Sequence, residues 1–182
     1  MSEDPLLEIS IRPSNSLTEE EAREVEILDK LAFFEEGGDD NDDGIQWIEE
    51  SDWDILGCVD GKLVSLVILS KHIIRVGSQS LTIAGVGGVA THPDWRRQGF
   101  ARRLLKAAED LMRSEGCYDF GMLFCDPKMI PYYSNCGYTQ IHNPLFIMQR
   151  GQRVAFDDNE MVLSISGKPW PEGVVDIPGS PW

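Results

Sequence analysis

The feature that most constrains the fold is a junction between a glycine-rich apolar segment and an amphipathic one. Residues 81–91 predict a strand, and the apolar residues from Phe100 onward recur at helical spacing. At the junction of the two segments, residues 95–103 carry four arginines and Gly99. Gly99 therefore stands at the start of a helix, where unpaired main-chain N–H groups converge and the helix dipole is positive. Arginines at such a helix end suit phosphate oxygens, so the junction predicts a site for a phosphorylated ligand.

Composition and charge narrow the classes of function. The chain has 182 residues and a formal net charge of −15, whereas nucleic-acid binding calls for a basic surface. No apolar run approaches the roughly 20 residues of a membrane span, and the N-terminus lacks the pattern of a signal peptide. The four cysteines show no CxxC spacing, which predicts neither a zinc site nor disulfides. We expect a cytoplasmic protein that binds no nucleic acid, membrane or metal.

The periodicity predicts one α/β domain over residues 1–182. Thr18 and Glu21 form a capping box at the first helix, and Asp60-Gly61 is a hairpin signal. Strands are expected at 6–11, 54–59, 62–76, 81–91, 120–125, 138–141, 146–149 and 161–165, and helices at 18–34, 45–50, 98–115 and 130–135. The helix at 98–115 would cross over to a parallel strand at 120–125.

Three glycines interrupt the apolar strand before the junction. Gly85, Gly87 and Gly88 lie where a strand interior would lose packing, and such glycines mark bulges or the close approach of another molecule. Loose packing is the alternative interpretation.

The junction and its neighbours resemble a known family. Arg96, Gly99 and Ala101 give the pattern Arg-x-x-Gly-x-Ala, which resembles the acetyl-CoA pyrophosphate loop of the GCN5-related N-acetyltransferase (GNAT) superfamily. The lead-in from Val89 to Arg96 is similar as well. The resemblance covers about residues 50–141. It implies an α/β fold with a mixed, mostly antiparallel sheet of roughly six to seven strands, helices on both faces and a splayed central strand pair.

This resemblance implies acetyl-CoA as the cofactor, with coenzyme A as its product. The expected cofactor-binding residues are Val89, Ala90, Thr91, Arg96, Arg97, Gln98, Gly99, Phe100 and Ala101. The pantetheine arm would enter beside Val89–Thr91 like an extra strand. The N–H of Val89 is the expected oxyanion donor.

A second motif supplies a candidate acid. Residues 132–138 resemble the family's (Phe/Leu)-Tyr-x-x-x-Gly-(Phe/Trp/Tyr) motif, in which Tyr133 takes the place of the general acid. A phenol with a pKa near 10 could protonate a thiolate with a pKa near 8.5 at a cost of roughly 2 kcal/mol. The alternative is that Tyr133 only packs on the sheet.

The acceptor amine poses a separate requirement. An alkylammonium with a pKa near 10.4 must lose a proton before it attacks, and the spacing of His72, His92 and His142 selects none of them as the base. Carboxylates would instead bind the other ammonium groups of the acceptor. Glu35 and Glu36 begin an acidic segment that is either part of such a site or a solvated loop.

The C-terminal part is similar to the aminoglycoside 2′-N-acetyltransferases. The similar segments are 116–123, 157–163, 170–173 and Trp182. By position, Asp157, Asp158 and Trp182 would line the acceptor site, so the tail 142–182 would form its acceptor side. The chain departs from those enzymes at Gly87 and Ser180, where they carry acids.

These observations lead us to expect acetyl transfer from acetyl-CoA to a primary amine by direct attack. The expected acceptor is a small cationic molecule of the aminoglycoside or polyamine type. Two alternatives stay open: acetylation of protein N-termini or lysines, and a non-catalytic CoA-binding module that senses the cofactor. The sequence is also compatible with a homodimer.

Overall fold

The computed structural model describes residues 6–33, 45–48 and 50–182. Its strands are β1 (Glu8–Pro13), β2 (Trp53–Val59), β3 (Lys62–Val76), β4 (Gln79–Thr91), β5 (Phe120–Cys125), β6 (Thr139–Gln140), β7 (Leu145–Gln149), β8 (Gln152–Ala155), β9 (Asn159–Ser164) and β10 (Val175–Asp176). Its helices are α1 (Glu19–Phe33), α2 (Phe100–Glu115) and α3 (Ile130–Asn135).

The predicted α/β class with a mixed sheet is confirmed, but the predicted number of strands is wrong. Parallel pairing joins β4 to β5 and β7 to β10, and antiparallel pairing joins the other neighbours whose register is described. The six to seven strands implied by the resemblance are too few, and the eight strands expected from periodicity omit β8 and β10. β8 is a largely exposed segment containing Gln152 and Arg153, and β10 has only two residues, so neither produces a hydrophobic period.

Contacts between Cα atoms divide the chain into two compact units, and β3, β4 and α2 each pass from one to the other. The first unit comprises residues 1–41, 51–69 and 88–108. In it β1 pairs with β2 from Glu8–Cys58 to Pro13–Trp53, and β2 pairs with the first half of β3. A core cluster of Leu28, Leu56, Leu66 and Ala90 packs α1 onto these strands.

The start of α1 is the capping box that the sequence predicts. The N–H of Thr18 donates to Glu21 Oε2 at 2.8 Å, and the N–H of Glu21 donates to Thr18 Oγ1 at 3.2 Å. Both groups are N–H donors that a helix start leaves without an intrahelical partner, so the box fixes where α1 begins.

The second unit comprises residues 42–50, 70–87 and 109–182. Its strand order is β6-β9-β5-β4-β3-β10-β7-β8. The core of this unit lies among the strands and consists of Ile74, Val76, Leu81, Ile83, Phe120, Met122, Ile141, Leu145, Ile147, Val162, Val175 and Ile177.

The ladder between β4 and β5 is short. It begins at Ile83–Phe120 and ends at Gly85–Met122, although β5 continues to Cys125. Within the second unit, Val86 and Gly87 therefore have no described partner on β5. This early end of the ladder is what the predicted splayed strand pair requires.

The short helix predicted at residues 45–50 is wrong. Residues 45–48 are irregular. The N–H of Gln46 donates to Gln149 Oε1 at 2.7 Å, and the N–H of Ile48 donates to the carbonyl of Pro181 at 2.7 Å. Because distant parts of the chain satisfy these N–H groups, no helical hydrogen bonds are needed here. In the described part of the chain, no helix is long and apolar enough to cross a membrane.

Candidate functional site

The end of β4 carries the first group of predicted site residues. Gly88 has a φ of 55°, and a Cβ built on it would lie 2.6 Å from a side-chain carbon of Ile68, so this position requires glycine on two counts. Val89 is half-buried and Ala90 is buried. Ser65 Oγ donates to the carbonyl of Ala90 at 2.9 Å, which fixes the backbone beside Val89.

The loop that follows is shaped by one of the predicted arginines. Arg96 Nε donates to the carbonyl of Thr91 at 3.2 Å, so this side chain braces the turn. Arg97 and Gly99 have φ values of 65° and 76°. A Cβ at Gly99 would meet no heavy atom within 4 Å, so its left-handed backbone rather than lack of space favours glycine. Arg97 and Gln98 are exposed.

The loop delivers the chain to the N-terminus of α2. The carbonyl of Gly99 accepts the N–H of Arg103 at 3.1 Å, which makes Gly99 the N-cap of the helix. The N–H groups from Gly99 to Arg102 then lack intrahelical partners. Phe100 is buried against Trp95, at 6.0 Å between ring centroids, and anchors this turn. Open space at Gly99 and a bundle of free N–H donors fit the phosphates of the expected cofactor.

The candidate acid lies in the second unit. Tyr133, on α3, is 7% exposed and packs edge-on against Tyr132 and Tyr138, at 5.1 and 6.0 Å. Burial, and repulsion from Tyr132, Cys125 and Cys136 when ionised, raise the pKa of Tyr133 far above its usual value. The hydroxyl therefore stays protonated and can act as a hydrogen-bond donor. The packing interpretation and the acid interpretation are both compatible with this position.

The glycine strand makes room for a residue of the chain itself. A Cβ on Gly85 would lie 2.5–2.6 Å from ring atoms of Trp182. The indole is held by Nε1, which donates to the carbonyl of Met122 at 3.1 Å, and by the rings of His72 at 4.4 Å and Phe124 at 5.1 Å. The sequence predicted a bulge or the close approach of another molecule at these glycines, whereas at Gly85 the approaching group is Trp182 of the chain itself.

The three histidines lie in different surroundings. Ser70 Oγ lies 2.7 Å from His72 Nε2 on β3. His92 Nδ1 accepts the N–H of Asp94 at 3.3 Å and caps a short turn. His142 lines a cavity. These contacts do not identify one of them as the base. The described residues include no cluster of His, Cys, Asp and Glu able to hold a metal ion.

The predicted acceptor acids do lie together. Asp157 and Asp158 line a cavity of about 470 Å³ whose walls are residues 140–146 and 155–160. Burial, opposed by hydrogen bonds to Asn159, raises the pKa of Asp158. Glu35 and Glu36 lie outside the described residues.

A third acid in this cavity escaped the sequence analysis. Glu160, on β9, is 6% exposed, and burial raises its pKa to about 7 despite a hydrogen bond to its own N–H. Repulsion from Asp158 and Asp157 adds to the rise. The signal in the sequence was the alternation of β9, which places Glu160 on the same face as the core residue Val162.

A family model described as an acetyltransferase (GNAT) domain matches residues 14–141. The match spans α1, the arginine-glycine loop and Tyr133. The aminoglycoside 2′-N-acetyltransferase resemblance of the tail is not part of this match.

Solved structures share the fold at low sequence identity. A GNAT family N-acetyltransferase (YhbS) from Escherichia coli, crystallised in complex with CoA, is 21% identical with a TM-score of 0.62, covering 98% of this chain and 94% of its own. A GNAT family acetyltransferase from Brucella melitensis, in complex with acetyl-CoA, is 17% identical with a TM-score of 0.62, covering 92% and 94%. Escherichia coli ElaA is 15% identical with a TM-score of 0.65, covering 87% and 100%.

Proposed function

The chain belongs to the GNAT acetyltransferase family, and from this premise we propose that it acetylates a primary amine of a small cationic acceptor. As a member of this family it is an N-acetyltransferase that uses acetyl-CoA. The cationic acceptor is supported by one observation above all: a cavity lined by Asp157, Asp158 and Glu160 in a chain of net charge −15.

Acetyl-CoA supplies an acetyl group activated as a thioester. In our proposal the N–H groups from Gly99 to Arg102 hold its phosphates, with the side chains of Arg97 and Gln98 beside them. Arg96 contributes mainly by bracing the loop, since its Nε is bonded to the carbonyl of Thr91. The main chain of residues 89–91 is the proposed partner of the pantetheine arm, where glycine at position 88 keeps the strand irregular.

Two groups of this chain have proposed roles in the transfer. The N–H of Val89 donates to the acetyl oxygen as negative charge builds on it. Tyr133 gives its hydroxyl proton to the departing sulfur, while the amine nitrogen bonds to the acetyl carbon and loses a proton to solvent or a base. The raised pKa of Tyr133 keeps the phenol protonated at every ordinary assay pH. It also makes proton transfer cost more than the roughly 2 kcal/mol expected from unperturbed values.

The acceptor is proposed from charge rather than from resemblance. Ammonium groups are the ligands that complement carboxylates in a partly desolvated cavity. Polyamines and aminoglycosides both carry several such groups, and both remain candidates. Trp182 adds an aromatic surface in the same unit, and Glu35 and Glu36 stay a prediction for the rim of the site.

A panel of amines tests this function. Release of free CoA thiol from acetyl-CoA would be measured with diamines, triamines, aminoglycosides, monoamines and lysine-containing peptides. We expect the highest kcat/KM with acceptors that carry two or more positive charges. Peptides outperforming small polycations would favour the protein N-acetyltransferase, and cofactor binding without turnover on any amine would favour the CoA-binding module.

The acid role of Tyr133 has a matched control in Tyr138. Tyr133→Phe should lower kcat by about 100-fold, within the range that general acids contribute, with acetyl-CoA affinity unchanged. The loss should grow at high pH if departure of the thiolate limits the rate. Tyr138 is also buried, and its hydroxyl has no hydrogen-bond partner within the described residues. Tyr138→Phe should therefore leave kcat unchanged, and equal kcat values for Tyr133→Phe and the parent would remove Tyr133 from the mechanism.

A further inference from the structure

Glu160 is a buried carboxyl that forms no ion pair with any residue in the described part of the chain. It is 6% exposed and pairs across the sheet with Phe124 of β5. Within the described residues, no side chain donates a hydrogen bond or an ion pair to its carboxyl group. Burying an unpaired carboxylate is costly, and a buried carboxyl that lines a cavity is a candidate for binding a ligand there.

The burial of the acids in this cavity increases along the chain. Asp157 is exposed, Asp158 is half-buried and Glu160 is buried, and all three line the same cavity. The negative charges of Asp157 and Asp158 also raise the pKa of the Glu160 carboxyl. The acids therefore form a graded path from solvent to the interior, with Glu160 at its inner end.

This cavity lies beside the residues that surround Tyr133 in the same unit. Asn159 at the start of β9 pairs with Cys125 at the end of β5. Burial, with the charges of Asp158 and Asp126, raises the pKa of Cys125 to about 11, and Cys125 in turn interacts with Tyr133. The acids and Tyr133 thus both adjoin the carboxyl end of β5.

We propose that Glu160 is the inner anchor of the acceptor site, pairing with an ammonium group of the acceptor that is not acetylated. Asp158 and Asp157 hold further positive charge nearer the solvent. The proposal rests on the proposed function and deepens it: the acceptor is a linear or branched molecule with at least two ammonium groups. Glu160 determines which amines bind and takes no proton from the reacting one.

The titration of Glu160 gives the site a pH signature. With its pKa at about 7, Glu160 gains a proton as the pH falls below neutrality and loses its attraction for a cation. Among residues 6–33, 45–48 and 50–182, the other titratable groups that face the cavity are Asp157, Asp158 and His142, with Asp126 beside Asp158. The KM for a diamine should therefore rise below about pH 7, and Glu160→Gln should abolish that rise whereas His142→Asn should preserve it.

The decisive comparison uses acceptors that differ by one charge. Kinetics with 1,4-diaminobutane, spermidine and butylamine would be measured for the parent, Glu160→Gln and the control Glu115→Gln, which removes an exposed acid at the end of α2. For Glu160→Gln we expect the KM of the two polyamines to rise roughly ten- to a hundredfold, as for loss of one charge-assisted contact. The KM of butylamine and of acetyl-CoA should stay within about twofold, and the control should resemble the parent.

Direct binding separates failure of this proposal from failure of the proposed function. Calorimetric titration of spermidine needs no turnover, so a weaker affinity in Glu160→Gln supports the anchor even if another reaction is catalysed. Unchanged spermidine affinity, or an equal rise of KM for butylamine, would overturn the proposal. Thermal melting at about pH 8 should show Glu160→Gln as stable as the parent or more so, because the variant removes a buried charge. If it melts lower, Asp158→Asn serves as the second variant and must show the same selective loss.

Discussion

Asp54 and Glu160 are buried carboxyl groups with different surroundings. Glu160 lines a cavity, whereas Asp54 is 3% exposed on β2 in the first unit. Asp54 bonds to Ser14, but its Oδ2 has no partner among the described residues. Burial, only partly offset by Ser14, raises the pKa of Asp54 above its ordinary value of 3.8. Ionising Asp54 therefore costs more free energy in the folded chain than in the unfolded chain.

The substitution Asp54→Asn should stabilise the protein at neutral pH. The folded state holds the Asp54 proton more tightly than the unfolded state, so stability falls as the pH rises from about 4 through the folded pKa. The amide removes this penalty, and we expect a gain of about 1 kcal/mol, or roughly 2–4 °C in Tm, at pH 7. The gain should shrink as the pH falls toward about 4, because the folded state holds the Asp54 proton more tightly than the unfolded state. Thermal melts across this range check both the size and the sign.

Asp60 provides the control for this prediction. It is exposed in the turn between β2 and β3 with a φ of 50°, a conformation that asparagine also adopts readily. Asp60→Asn should leave the Tm unchanged at both pH values. A Tm for Asp54→Asn that is below that of the parent at pH 7 would show that its carboxylate has a partner which Asn cannot replace.

At the scale of elements, Gly85 and Gly87 of the strand β4 differ in what they require of their surroundings. Both Gly85 and Gly87 face Trp182, but a Cβ at Gly85 would lie 2.5–2.6 Å from the indole ring. A Cβ at Gly87 would lie 3.7 Å from the nearest atom of Trp182, which is ordinary van der Waals contact. Only Gly85 is required by packing between the strand and this indole.

Gly85→Ala should displace Trp182 and destabilise the second unit. An overpacked contact of this kind costs about 1–3 kcal/mol, so we expect a lower Tm and a Trp182 side chain more accessible to iodide quenching. Gly87→Ala is the matched control and should change neither measurement appreciably. Equal effects of the two substitutions would mean that the strand tolerates or rejects a side chain irrespective of the indole.

At the scale of the whole molecule, the net charge bears on how the proposed cationic acceptor reaches its site. A net charge of −15 attracts cations over distances set by the Debye length, about 10 Å at 0.1 M salt. We expect kcat/KM for spermidine to fall several-fold as NaCl rises from about 20 to about 200 mM. An aromatic amine that is uncharged at the assay pH is the control and should show little dependence. If kcat/KM for spermidine does not change with NaCl concentration, the net charge of the protein does not promote binding of the acceptor.

The long elements could be predicted from the sequence because their signals are local. β3, β5 and α3 have the expected bounds, and α2 starts at Phe100, two residues later than expected. The capping box at Thr18 fixed α1, and the arginine-glycine pattern with the tyrosine motif identified the family. These features depend on spacing along the chain, on helix dipoles and on backbone φ values, all of which neighbouring residues set.

Other features were decided only by contacts between residues far apart in the sequence. Residues 45–48 are irregular because Gln149 and Pro181 accept the N–H groups of Gln46 and Ile48. The two-residue strand β10 is defined by its pairing with β3 on one side and β7 on the other. Gly85 packs against the indole of Trp182, which is almost a hundred residues away in the sequence. The raised pKa of Glu160 likewise depends on burial and on a cavity that the fold creates. The sequence by itself determined the family and the long elements, because both depend on residues that are close together along the chain. The tertiary structure decided which groups are desolvated and which are closely packed, because those properties depend on residues that are far apart in the sequence.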